Sequence, residues 1–148
     1  MKYLIDQEVK RAATTNVVRF NISHTPIPLK RPRFYNGNVY DSQKQEKFAI
    51  GLLMKRQYLI LPSLLGKISM DITFYFPISR AASKIKKQKM LGTPNSNRPD
   101  LSNCIKFYED VMQDIRIFKD DAQIVEINAR KLYDGGNGPR VEITLREI

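Results

Sequence analysis

At 148 residues with 42% hydrophobic side chains, and with no apolar run long enough to span a bilayer, the chain fits one domain with a real core and no membrane segment. A single cysteine, Cys104, and a single histidine, His24, exclude an internal disulfide and a Cys/His zinc cluster within one chain, so any metal must sit on oxygen ligands. The balance of 25 Lys+Arg against 15 Asp+Glu gives a net charge of +10 and a pI near 9.8, and because the excess lies in loops it points to nucleic-acid phosphates ahead of an anionic membrane surface.

In chain order, MKYLIDQEVKRAATTN (1–16) is charged throughout and lacks the apolar block of a secretory signal; it reads as an N-terminal extension, and the cytoplasm is the expected compartment. VVRFNISH (17–24) alternates Val18, Phe20 and Ile22 with Arg19, Asn21 and Ser23, the period of a half-buried strand. TPIPLKRPRFYNGNVYDS follows, with the bases Lys30, Arg31 and Arg33 among three prolines and an Asn36-Gly37 pair that predicts a tight hairpin. Ser42 with Gln45 has the form of a capping box, and Phe48, Ala49, Leu52 and Leu53 continue at helical spacing to about Tyr58.

Ile68, Met70, Ile72, Phe74 and Phe76 alternate with Ser69, Asp71, Thr73 and Tyr75, a second strand. Residues 79–99 form a basic segment expected to be flexible, helical in part and mobile at 92–97, and it holds Lys84, Lys86, Lys87, Lys89 and Arg98. A helix is predicted from near Ser102 to near Gln113, with Ile105, Tyr108, Val111 and Met112 as its buried stripe. Strands over about 123–132 and in RVEITLREI, joined by the turn DGGNGP, close the chain. Without strict βαβ alternation, this order predicts an α+β domain over 1–148, a mixed sheet with helices packed against it.

The stretch 98–133 carries the chemistry. Asp100 precedes a helix, and Asp120-Asp121 precedes a strand about twenty residues later, so a helix that folds back can bring two acidic turns together. A hard dication such as Mg²⁺ suits that arrangement, because it takes a few carboxylates and completes its octahedron with water and substrate phosphate. Lys106 stands one turn into the helix on the face that carries Ser102 and Asp110. Taken singly, an Asp before a helix is the mark of a cap, an Asp-Asp pair of a turn, and a helix lysine of a solvated face.

In combination, R-P-D-L-x-N-x-x-K, then D-D-A-Q-I-V, then a terminal P-R-V-E-I strand, with PIPLKRPRFYNGNVYDSQKQEKF ahead of them, resembles the RusA family of Holliday-junction resolvases from about 17 to 148. The resemblance implies a homodimeric, Mg²⁺- or Mn²⁺-dependent endonuclease, common in phages and prophages, that nicks a four-way DNA junction in pairs; a two-fold dimer sets one site at each of two opposed strands. It implies no small-molecule cofactor. It places the metal on Asp100 and Asp121 with Asp120 beside them, and the catalytic lysine on Lys106. The family's second helix-start acid falls on Ser102, which has one negative charge fewer.

Ser102 therefore either ligates through its hydroxyl or a water, or caps the helix, with Asp120 or Asp110 supplying the missing charge; the alternative is a junction binder with weakened or absent cleavage. The expected reaction is in-line attack of an activated water at phosphorus, with Lys106 neutralising transition-state charge and Cys104 a buried bystander. Lys30, Arg31, Arg33, Lys84, Lys86, Lys87, Lys89 and Arg98 are the expected phosphate contacts. Tyr35 and Tyr40 have two candidate roles, stacking on bases at the crossover and packing within the hairpin. A basic adaptor for an acidic protein is the third reading, and the acids at Asp100 and Asp121 have no purpose in it.

Overall fold

The computed structural model describes residues 17–148; the expected extension 1–16 lies outside the described residues. Six strands and three α-helices follow in the order β1 (Val17–Ile22), β2 (Arg33–Tyr35), β3 (Asn38–Tyr40), α1 (Lys44–Lys55), β4 (Ile68–Phe76), α2 (Lys84–Met90), α3 (Leu101–Asp114), β5 (Ile124–Tyr133) and β6 (Arg140–Glu147), with a 3₁₀ turn at Asp121–Gln123. No helix among the described residues is long and apolar enough to cross a membrane.

The main sheet has the order β1-β6-β4-β5, antiparallel except for the parallel pair β4 and β5, so it is the expected mixed sheet of an α+β domain. The period-two pattern puts Val18, Phe20, Ile22, Ile68, Met70, Ile72, Phe74, Val141, Ile143 and Leu145 on one face, all buried, and α1 and α3 cover it. On α3 the stripe is Cys104, Phe107, Tyr108, Val111 and Met112, while Ile105 is only half-buried. Gly51 lets α1 approach α3, because a Cβ there would stand 3.0 Å from the Ile115 side chain.

The capping box expected at Ser42 does not form. The N-cap position falls one residue later, on Gln43, without a side-chain cap. Gln43 is instead wholly buried; its amide donates to Pro28 O (2.9 Å) and accepts from Lys30 N (2.7 Å), so a polar side chain staples the proline segment onto α1. The basic segment 79–99, expected to be flexible, forms α2 and then runs along β5, with Asn95 N bonded to Lys131 O and Tyr133 N to Thr93 O. That covers the outer edge of β5 near its end and leaves Val125 and Ile127 exposed near its start. At the opposite edge, Tyr58 Oη takes the Arg19 N–H (2.8 Å) and donates to Arg19 O (3.0 Å), and Gln57 does the same for Asn21, so the backbone groups of these two β1 residues are paired by side chains.

Candidate active site

The helix α3 and the turn before β5 carry the acidic residues. Asp100 is the N-cap of α3 by backbone conformation, yet its side chain makes no cap hydrogen bond and is exposed. Its carboxylate is therefore free, and the helix N-terminus beside it favours negative charge. Ser102 is already inside the helix and exposed, so it does not cap α3. Lys106 follows one turn later, also exposed, on the same face. Asp110, another turn on, is taken up by an ion pair with Lys47 (3.1 Å), which also holds Asp41 (2.7 Å).

The second acidic turn is built by its neighbours. Asp120 accepts from Ala122 N (2.9 Å) and starts the 3₁₀ turn, and that bond, then a side-chain hydrogen bond with Asp121, holds its carboxyl below the ordinary range. Gln123 closes the turn by accepting from Asp120 N (3.1 Å) and Lys119 N (2.9 Å) and donating to the carbonyls of Leu64 and Gly66. Asp121 is exposed. It lies close enough to Glu109 of α3 to help raise that half-buried carboxyl, after burial itself and ahead of Asp110.

The 3₁₀ turn that carries Asp121 packs against α3. Among the described residues, no three Asp, Glu, His or Cys side chains converge on one point. The available donors are carboxylates and a hydroxyl, all hard oxygens, and they fit a dication of the Mg²⁺ class, which needs only one or two protein carboxylates beside water and phosphate. Cys104 is buried, and burial pushes its thiol up to about 11, so it is no nucleophile at neutral pH.

Two residues of the site escaped the sequence reading. Glu109 looked like an ordinary helix charge. Lys131, on β5, donates to the carbonyls of Asn97 and Pro99 (2.6 Å to the latter) and so ties down the chain immediately before Asp100. No local signal marks Lys131, because its partners lie more than thirty positions away. Of the expected phosphate contacts, Lys30, Arg31, Arg33, Lys84, Lys86, Lys89 and Arg98 are exposed and Lys87 is half-buried; none forms an ion pair among the described residues.

Comparison with known proteins adds to this geometry. The family model for Endodeoxyribonuclease RusA matches residues 23–146. The uncharacterized protein YqaN of Bacillus subtilis (strain 168) is 30% identical over 140 residues, covering 88% of this chain and 96% of that protein. The crossover junction endodeoxyribonuclease rusA of Lactococcus phage r1t is 34% identical over 81 residues, 55% of each chain.

Proposed function

The chain belongs to the RusA family of endodeoxyribonucleases, and from that premise we propose that it resolves four-way DNA junctions by paired, divalent-metal-dependent phosphodiester hydrolysis as a homodimer. The observation that carries the reading is Asp100: an exposed carboxylate at a helix start, unspent on capping, within the matched span and nearly two turns ahead of Lys106.

In this reading Asp100 and Asp121 hold the ion, Mg²⁺ or Mn²⁺, and Ser102 offers its hydroxyl beside Asp100. What the bound ion supplies is Lewis acidity toward a phosphoryl oxygen and toward a water. Lys106 neutralises the charge that develops on the phosphate, a contribution of about 3 kcal/mol for a well-placed donor. Arg98, next to the Pro99-Asp100 start of the helix, and the lysines of α2 hold the DNA backbone. Asp120 orients Asp121 by capping the turn, and Asp110, committed to Lys47, takes no part in binding the ion.

Nicking of a synthetic four-way junction with Mg²⁺ or Mn²⁺, beside linear duplex of the same sequence, tests the proposal. Paired, symmetric cuts confined to the junction are expected; equal cutting of the duplex would sink it. Ser102→Asp restores a full charge at the helix start, and half-maximal activation is expected at a Mg²⁺ concentration about tenfold lower. Tight junction binding by the wild type without cleavage, with cuts appearing only in Ser102→Asp, would make this chain a binder.

Lys131 acts through Asp100 and is a positioning residue. Lys131→Met frees two carbonyls and the chain they belong to, and is expected to slow single-turnover nicking by between about tenfold and a hundredfold. Because the loss comes from misplaced Asp100, raising Mn²⁺ should recover part of it, and junction affinity measured in EDTA should stay close to wild type. A purely structural lysine would leave the metal dependence unmoved.

A further inference from the structure

We propose that the β2–β3 hairpin is an aromatic arm that stacks on unpaired bases at the branch point of the DNA, a role that rests on the junction reading above. All of its residues from Arg33 to Tyr40 are exposed, including Phe34 (77%), Tyr35 (70%), Val39 (59%) and Tyr40 (47%). Rings packed within the hairpin or against a neighbouring element would not be left bare to that degree, so packing does not account for them.

The turn that exposes them is set by the sequence. Asn36 (φ 49°) and Gly37 (φ 77°) both take positive φ, as a tight hairpin of native twist requires. In the resulting register Arg33 faces Tyr40, Phe34 faces Val39 and Tyr35 faces Asn38. One surface of the arm therefore presents Arg33, Tyr35, Asn38 and Tyr40, and the other presents Phe34 and Val39. A cation beside two phenol rings suits a nucleotide, with phosphate to the guanidinium and base to the ring face. Phe34 and Val39 supply the apolar wedge with which DNA-bending proteins part a base step.

Charge selects the occupant. From Thr25 to Tyr40 the chain has Lys30, Arg31 and Arg33 and no acid, so the arm suits a polyanion. The arm is also fixed at its base. Gln43 bridges Pro28 and Lys30, Leu29 N donates to Asn103 O of α3 (2.9 Å), and Lys47 ties Asp41 to Asp110 of α3. The two attachments to α3 flank Lys106 along the helix. A rigid base with a bare tip holds stacked bases at a constant offset from the lysine, and stacking tolerates any sequence, which a reader of DNA shape needs.

The test uses the full chain and a Phe34→Ala/Tyr35→Ala variant with a four-way junction carrying 2-aminopurine at the branch point, titrated in EDTA beside linear duplex. The wild type is expected to prefer the junction and to change the 2-aminopurine emission. The variant should bind the junction about tenfold or more weakly and lose the emission change, while duplex affinity stays within about twofold. Junction selectivity and emission unchanged in the variant would overturn the arm and leave the resolvase reading standing. A shift in sedimentation mass of the variant would also overturn it, by making the arm a contact between subunits. A wild type without junction preference would sink the resolvase reading and remove the arm's target with it.

Discussion

Asp100→Asn is expected to abolish metal-dependent nicking, lowering the single-turnover rate on a four-way junction by on the order of 10³-fold or more. Asparagine keeps the size and one carbonyl oxygen of the carboxylate but removes the charge that would bind a hard dication. Because the Asp100 side chain makes no cap hydrogen bond, the fold loses little beyond the favourable field of a helix N-terminus, roughly 0.3–1 kcal/mol. The melting temperature should therefore fall by only a few degrees while the rate collapses. Partial recovery in millimolar Mn²⁺ would mark a ligand, and an unchanged rate would reduce Asp100 to a helix-start charge. Asp121→Asn is expected to behave alike, with Asp120→Asn much milder because Asp120 is occupied with the Ala122 amide.

Tyr108→Ala carries the largest expected cost to stability. The ring is fully buried, 5.1 Å from Phe107 edge-on and 5.6 Å from Phe74, so it fills the junction between α3 and the central strand β4. Removing an aromatic side chain from such a position costs about 3–5 kcal/mol, a large fraction of the roughly 5–15 kcal/mol that a domain holds. For a chain of this length that corresponds to a fall in melting temperature on the order of 10 °C. The hydroxyl has a separate task, since it accepts the Ile27 N–H (3.2 Å) and so holds the proline segment at the root of the hairpin. Tyr108→Phe should cost only about 1 kcal/mol. A melting curve for Tyr108→Ala within two degrees of wild type would show that the core closes over the gap.

The elements legible in the sequence are those whose signals are local. Alternation at Ile68–Phe76 and Arg140–Glu147 specified strands because the pleat turns every second residue inward, and Asn36-Gly37 specified its hairpin through backbone sterics. Asp100 and Asp121 stood out through a pattern of short spacings. What stayed hidden depends on partners far along the chain. No local signal marks Gln43, and only the return of the Pro28–Lys30 segment gives its amide two partners and buries it. Lys131 follows Arg130 as one of two adjacent charges late in a strand, and the loop it holds is brought to it by the crossover between two parallel strands. Ser102 has the chemistry of a cap, but α3 begins before it, so the hydroxyl is left free.

The two borders of the main sheet are finished differently, and this limits how copies of the chain could join through it. On β1 the outward amides and carbonyls of Arg19 and Asn21 are taken by Tyr58 and Gln57, whereas the first half of β5 has exposed Val125 and Ile127 and no covering segment among the described residues. A border that accepts nothing cannot seed the addition of further strands. Any association through the sheet must then pair like with like, β5 against β5, and such a union uses up both open borders at once. It ends at two chains and cannot run on into a fibre.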